Sequence, residues 1–524
     1  MNEKRMRWKD LVADLLGKFH GNKTMLASRI GISDAREVRR WLRGATPHAR
    51  FADLLFKECE RFGINPRKYE GLEPVYNFKN SYEQNLIEGP QGLSLTFEEF
   101  IPKVATPSFL DYNLNSPIGV PSSVLTTNFQ WIRPLIQRGY DVVTLKTVKT
   151  REVPAHHFPN VAYLPELQSP LQVGSVPKEI VGIPDLRDEN VAKLSLANSF
   201  GLPSPKPGEW QEDWRKSLRL LSTGQILIGS VVGTADSPED DLIADFVQCA
   251  RWAHEVGVHA VELNFSCPNV YGKEGFVYKN AELSGEICKK VARAIPNAKI
   301  LVKIGYLPTD QLKKLFDATF KNIHGYTAIN ALPAKIISSG QRAVPLFSRK
   351  NLAVAGLSGV AIKEYALDAV RGLRRLATSA NRPDIGIIGV GGISSLDDVN
   401  RFREAGANCV QICTAALLNP LIAVEIRKQL NRASFQTYSR TFDRPGATPI
   451  FSDPIRKKAF ENLEKVYSRL GVDFFDAIEV LEERWFKGYK RDLENANQSV
   501  GSPRLRAEAP TEAQIEAWIR EKNK

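Results

Sequence analysis

Residues 261–273 read Val261-Glu262-Leu263-Asn264-Phe265-Ser266-Cys267-Pro268-Asn269-Val270-Tyr271-Gly272-Lys273. A strand is expected to end near Asn264 and to run into a loop that Pro268 stops. Asn264 and Asn269 each carry an amide donor and an amide acceptor, which suits a planar imide or carboxamide. Cys267 lies between them. A lone Cys is usually a small buried hydrophobe, but polar neighbours at a strand end weaken that reading here.

Working outward, eight strand candidates fall near 118–122, 141–146, 226–232, 259–264, 300–304, 325–330, 385–390 and 409–413. Most are rich in Val, Ile and Leu, as strands buried on both faces should be. Helical patterns at 239–256, 281–294, 309–321, 361–378 and 396–405 follow most of them. Eight βα units over this length predict a closed (β/α)8 barrel of the TIM type, with an open doubly wound sheet as the structural rival. Two excursions, 147–225 and 331–360, interrupt the pattern. In a barrel, an insertion after a strand lies on the C-terminal face, where active sites form, so loops or lids are expected there.

The expected division is a small all-α domain over 1–65, a linker and covering segment over 66–110, the barrel over 111–430 and a helical extension over 431–524. Helical patterns in the extension fall at 454–470, 475–486 and 511–522.

Composition narrows the class. At 43% hydrophobic and 25% charged, the 524 residues describe an ordinary globular protein. No apolar run approaches the roughly 20 residues of a membrane span, and the charged start Met1-Asn2-Glu3-Lys4-Arg5 has no signal-peptide core, so a cytoplasmic protein without membrane partners is expected. The six cysteines include no Cys-x-x-Cys pair, which argues against zinc ribbons, iron–sulfur loops and any other metal site.

Further segments stand at strand ends. Thr144-Leu145-Lys146-Thr147 closes the second strand, and Leu196-Ala197-Asn198-Ser199-Phe200-Gly201 forms a polar turn. Ile300-Leu301-Val302-Lys303-Ile304 places a Lys inside an apolar strand; Lys is almost never buried unpaired, so Lys303 needs an anionic partner. Asn330 ends the sixth strand. Ala355-Gly356-Leu357-Ser358-Gly359, Gly389-Val390-Gly391-Gly392 and Cys413-Thr414-Ala415 are spaced like a phosphate site after the late barrel strands.

Together these segments, over about residues 110–425, resemble the class 1 dihydroorotate dehydrogenases. The resemblance implies FMN as cofactor and a dihydropyrimidine as substrate. It implies Cys267 as the base that removes a ring proton, a position where class 2 enzymes carry Ser. It assigns Lys303 and Lys146 to flavin and substrate, and Asn198, Asn264, Asn269 and Asn330 to the substrate. Thr147, Gly356, Ser358, Gly359, Gly391, Gly392, Cys413 and Thr414 complete the implied flavin site, and class 1 relatives imply a homodimer. There are departures. Ala331 stands where the family has a hydroxyl residue, Val120-Pro121-Ser122-Ser123 replaces an Ala-Ser-Gly-like strand end, and Cys413 replaces a Gly. The insertion 331–355, with Lys335, Arg342, Arg349 and Lys350, has no counterpart.

Net charge is +12, and residues 1–75 hold 16 Lys/Arg against 10 Asp/Glu. Half the excess thus sits in a seventh of the chain, which favours an acidic partner there. Within 22–64, Leu26, Ala27, Ile30, Ile32, Val38, Trp41 and Leu42 form an apolar skeleton, Gly31 permits a tight turn and Ser33 can cap the next helix. This is similar to the helix-turn-helix of phage-repressor-type proteins and implies DNA contact through Arg36, Arg39, Arg40 and Arg43. A basic docking module is the plainer alternative. The fusion motivates a second function class, a DNA-binding regulator whose barrel senses a pyrimidine or the flavin redox state.

Overall fold

The structure, a computed structural model, describes residues 8–32, 34–42, 47, 49–62, 64, 74–91, 93, 97, 101–104, 108–184, 191–234, 241–266, 273–338, 344–347, 354–441, 454–470, 472, 474–486, 488 and 508–522. Cys267 and Asn269, with Ser33, Arg43, Arg342, Arg349 and Lys350, lie outside the described residues.

The described strands, in chain order, are β1 Ile118–Val120, β2 Val142–Thr144, β3 Val161–Tyr163, β4 Ile180–Gly182, β5 Ser195–Asn198, β6 Ile226–Val231, β7 Ala260–Asn264, β8 Ile300–Ile304, β9 Gly325–Ala328, β10 Leu332–Ser338, β11 Val354–Gly359, β12 Gly386–Val390 and β13 Cys409–Gln411. Eight of them close into a barrel in the order β1-β13-β12-β9-β8-β7-β6-β2, parallel at every pairing. The eight expected strands are all present, and the closed order excludes the open-sheet rival.

The alternation along each strand sorts the barrel interior into two halves. Val142, Ile226, Ile228, Ala260, Leu301, Ile388 and Cys409 pack as one apolar cluster with Phe109 and Leu114. Full burial of each such aliphatic side chain stabilises by about 1.5–3 kcal/mol. Two residues further along the same strands the side chains turn polar: Thr144, Ser230, Glu262, Lys303 and Gln411 are all buried. At the barrel's other rim, His259 and His324 each accept a backbone N–H at Nδ1, from Leu227 at 3.3 Å and from Ile300 at 3.1 Å. Only an imidazole unprotonated at Nδ1 can accept, and burial accordingly lowers both pKa values.

The two excursions are not simple loops. They supply a second, five-stranded sheet in the order β3-β5-β11-β10-β4. Residues 355–359, expected as a glycine loop, are the middle strand of that sheet, with Gly356 paired to Asn198 on one side and to Pro333 on the other. Both excursions follow barrel strands, so the sheet stands beside the C-terminal rim.

The first compact unit comprises residues 1–97 and 106–423. It includes four N-terminal helices, α1 Trp8–Lys18, α2 Lys23–Arg29, α3 Arg36–Leu42 and α4 Ala49–Arg61. They share one core, with Leu11, Leu15, Leu26, Val38, Trp41 and Leu55 buried. Gly31, at φ +69°, makes the turn after α2 in a conformation that costs a residue with a Cβ. Among its described residues, the segment expected as irregular contains the helix α5 Tyr82–Glu88, started by a capping box between Ser81 and Gln84.

Residues 98–105 and 424–524 form the second unit. Helices Pro454–Leu470, Phe474–Leu481 and Glu512–Lys522 pack around Leu463, Val466, Leu481, Ile515 and Ile519. Among the described residues no helix is long and apolar enough to cross a membrane.

Candidate active site

A cleft enclosing about 1280 Å³, counted out to its open mouth, stands over the C-terminal end of the barrel. Lys146, Thr147, Asn198, Asn264, Lys303, Asn330, Ser358, Gly359, Gly391, Gly392, Cys413 and Thr414 all line it. Of the expected site residues that are described, only Gly356 stays off the wall. Its carbonyl instead accepts the Asn198 amide at 3.1 Å, so it braces a neighbour.

The cleft floor is a network of side-chain hydrogen bonds. Asn264 Nδ2 donates to Thr147 Oγ1 at 3.0 Å, and Asn264 Oδ1 accepts from Ser266 N–H at 3.3 Å. Asn330 Nδ2 donates to the Ser266 carbonyl and to Asn264 Oδ1, while its Oδ1 accepts from Ala331 N–H at 2.9 Å. Ala331 therefore contributes its backbone where its side chain has no hydroxyl. Thr147 Oγ1 also lies 2.9 Å from both Ser122 Oγ and Ser230 Oγ. Beneath them the Glu262 carboxylate, 0% exposed, accepts from Ser230 at 3.0 Å and Thr327 at 2.7 Å.

Lys303 is 3% exposed and faces the cleft. Among the described residues no carboxylate lies within ion-pair distance of its ammonium, a costly arrangement for a buried charge. Cys413 faces the same space. Burial pushes its thiol pKa up, against a hydrogen bond from Ser123 and the charge of Lys303. Gln411 is 1% exposed, and its Nε2 is held by Val142 O at 3.2 Å and Thr144 Oγ1 at 2.8 Å. Its Oε1 is buried without a partner among the described residues, and the residue lines the cleft.

At one end of the cleft the glycines and hydroxyls gather. Thr414 Oγ1 lies 3.3 Å from Ser358 Oγ. Gly392 sits at φ +70°, and a Cβ there would come 2.7 Å from the Gly359 carbonyl and 3.0 Å from Lys363 Cβ. Only bare backbone fits, leaving its N–H groups approachable. The loop is fastened from behind. Asp398, 4% exposed, pairs with Lys363 at 2.6 Å and accepts Ser394 N–H at 2.9 Å and the Ser394 hydroxyl at 3.1 Å.

These features test a flavin directly. A buried cation without a counter-charge suits the anionic edge of a reduced isoalloxazine. A buried carbonyl oxygen without a donor suits a ring N–H. A glycine cradle suits a phosphate. The residues present fit the group.

Aromatic side chains form another wall. Phe78, from the segment that sequence reading left irregular, lines the cleft together with Phe200. Val75 N–H ties this segment to the Leu417 carbonyl at 2.8 Å, and Tyr76 packs on Trp131 and Phe200. Sequence reasoning missed Phe78, Glu262 and Gln411, and named Ser122 only within the departing first-strand end. The argument that flagged Lys303, a charge inside an apolar strand, applies equally to Glu262.

A family profile described as dihydroorotate dehydrogenase matches residues 177–433. A dihydroorotate dehydrogenase from Dictyostelium discoideum is 31% identical over 374 residues, 67% of this chain and 96% of the relative. The catalytic subunit of dihydroorotate dehydrogenase B (NAD(+)) from Methanocaldococcus jannaschii is 26% identical over 57% of this chain and 82% of its own. Among solved structures, a ligand-free DHODH from Eimeria tenella superposes with a TM-score of 0.52 at 15% identity, over 68% of this chain and 94% of that one, a likeness of fold. The sequence similarity runs through nearly the whole Dictyostelium relative, and on that ground the chain belongs to the dihydroorotate dehydrogenase family.

Proposed function

We propose that this protein oxidises dihydroorotate, or a closely related dihydropyrimidine, with FMN bound in the cleft. The family's members are flavoproteins. The observation that carries the proposal is the buried Lys303 ammonium, with no carboxylate within ion-pair distance among the described residues, in one cavity with the Asn264–Asn330 amide pair.

When bound, FMN supplies the acceptor for the electron pair and the second hydrogen that the substrate gives up. Lys303 and Lys146 set positive charge beside it, and Thr147, Ser358, Gly359, Gly391, Gly392, Cys413 and Thr414 hold it. Gly356 acts one step back, bracing Asn198. Asn198, Asn264, Asn269 and Asn330 hold the substrate ring. Cys267, immediately after Ser266 in the chain, takes the ring proton at Sγ; a nearby positive charge favours the thiolate needed for this.

The test is a visible spectrum of the purified protein before and after anaerobic addition of dihydroorotate. A yellow protein that bleaches is expected, and Cys267→Ser should keep the yellow colour and lose most turnover at neutral pH. A bound flavin that neither dihydroorotate nor dihydrouracil bleaches would reject this substrate class.

A second reading concerns the N-terminal helices. Arg36, Arg39 and Arg40 on α3 are exposed, while Val38 and Trp41 of the same helix are in the core. That one-sided display supports contact of this face with DNA phosphates. Gel-shift titration of the full chain across a salt series tests it. Retardation should weaken steadily with salt, and none at low salt would sink the idea.

A further inference from the structure

A carboxylate inside a barrel costs several kcal/mol of desolvation, even with hydrogen-bonding partners. Glu262 sits there without an ion pair among the described residues, held only by the Ser230 and Thr327 hydroxyls. Building stability does not require it, because the adjoining layer of the barrel is apolar. What the carboxylate does supply here is direction: both of its oxygens accept, one from Ser230 and one from Thr327.

That direction propagates. Ser230 has one proton and gives it to Glu262 Oε1 at 3.0 Å. The Ser230–Thr147 contact at 2.9 Å must therefore run from Thr147 to Ser230. Thr147 has then spent its only proton, so both remaining contacts of its Oγ1 must be donations to it. Ser122 gives one at 2.9 Å and Asn264 the other at 3.0 Å. Asn264 consequently turns Nδ2 toward Thr147 and keeps one N–H for the cleft. Asn330 spends both Nδ2 protons on Ser266 and Asn264 and keeps one lone pair of Oδ1. The cleft thus offers a donor beside an acceptor, the complement of a ring O=C–N–H edge.

Two donors at the other end of the amide favour the same sense, but weakly. The opposing bonds to its Oδ1 are long, 3.3 Å from Ser266 N–H and 3.5 Å from Asn330 Nδ2. We propose that Glu262 is a positioning residue that, through Ser230 and Thr147, fixes which edge of Asn264 meets the substrate. This rests on the dehydrogenase function proposed above. With Gln at 262, a donating Nε2 can reverse the chain. Ser230 then gives its proton to Thr147, Thr147 can donate to Asn264, and the amide is free to turn over and set an oxygen against the substrate carbonyl.

The test uses flavin-loaded protein. It measures kcat and KM for dihydroorotate, and Kd for orotate from the perturbed flavin spectrum. Glu262→Gln and Ser230→Ala should each raise KM and Kd about tenfold to a hundredfold, the effect of one lost and one mismatched hydrogen bond. Turnover should fall less than about threefold, with flavin content unchanged. Ser230→Thr, which keeps the hydroxyl, should recover most of the Ser230→Ala loss. If Glu262→Gln fails to fold, the Ser230 pair decides alone. Variant Kd values within twofold of wild type overturn the proposal. So does a loss confined to kcat, which would place Glu262 with the reacting atoms. A wild-type spectrum that neither ligand perturbs overturns the dehydrogenase reading itself, and this inference with it.

Discussion

Asp398→Ala is the sharpest test of how the glycine end of the cleft is held. The Lys363–Asp398 pair is closed at 2.6 Å, with side chains 9% and 5% exposed. Truncating Asp398 leaves a buried ammonium uncompensated and removes both acceptor bonds from Ser394, which lines the cleft. Breaking such a pair from one side costs about 3–5 kcal/mol. At roughly 2–4 °C per kcal/mol for a domain of this size, Tm should fall by about 6–20 °C. Replacing both partners, as Lys363→Met with Asp398→Leu, removes the orphaned charge as well, and stability should return to near wild type or above. Flavin affinity should not return with it, because Ser394 and the Gly391–Gly392 turn have lost their anchor. Thermal melts and guanidinium titrations of flavin-free and flavin-loaded protein separate the two effects. A single variant within 1 kcal/mol of wild type, or a double variant no more stable than the single, would refute the claim that this pair carries the loop.

Other predictions follow from single residues. Lys303→Met should weaken flavin binding about tenfold to a hundredfold, the loss of one charge-assisted hydrogen bond of about 1.5–3 kcal/mol, as read by fluorescence titration of flavin-free protein. Gly392→Ala places a Cβ 2.7 Å from the Gly359 carbonyl at φ +70°, a conformation costing roughly 1–2 kcal/mol for a residue with a Cβ, so the purified protein should carry less flavin than wild type. Acid should destabilise the protein through His259 and His324, whose folded pKa values lie below 6.5. The unfolded chain then binds more protons just below pH 6.5, so stability is full above that pH and is lost as pH falls through the folded values, with protons taken up on unfolding. Denaturant melts between pH 7.5 and 5 that show no such fall, or no smaller fall in His259→Asn, would count against it.

The barrel was legible because its strands are buried on both faces, and runs such as Ile226–Val231 and Ile300–Ile304 state that in Val, Ile and Leu. The second sheet was not. Several of its strands are three or four residues long, β10 contains Pro333, and the Asn198–Gly356 contact spans 158 residues. Short strands that find partners only across the fold leave no local periodicity. The Ala355–Gly359 stretch differs from expectation in conformation for the same reason: it pairs on both sides as a strand, while Ser358 and Gly359 still line the cleft. At the site, residues at strand ends were legible by chemistry: Asn264, Asn330 and Lys146 are polar where a buried strand stops. Phe78 was not, because an aromatic in a Pro- and Gly-rich stretch gives no sign of the wall it will join. Glu262 could have been found by the argument applied to Lys303, a charge amid apolar neighbours, because both are inward positions of adjacent strands.

The barrel interior therefore divides its work by depth. The apolar half around Ile228, Leu301 and Ile388 supplies burial without polar atoms to satisfy. The polar half does the reverse. It carries a carboxylate at Glu262, an ammonium at Lys303 and an unmatched carbonyl at Gln411, each of which lowers the stability of the protein alone. Glu262 is at least met by two hydroxyls, but among the described residues Lys303 has no carboxylate within ion-pair distance and Gln411 Oε1 has no donor. A ligand that brings an anionic edge and a ring N–H binds the folded state alone, so it stabilises in proportion to its own affinity. Tight flavin binding and a weakened flavin-free barrel are then two expressions of the same unpaired groups. They should move together: a variant that satisfies Lys303 or Gln411 from within the protein gains stability without flavin and gives up affinity for it.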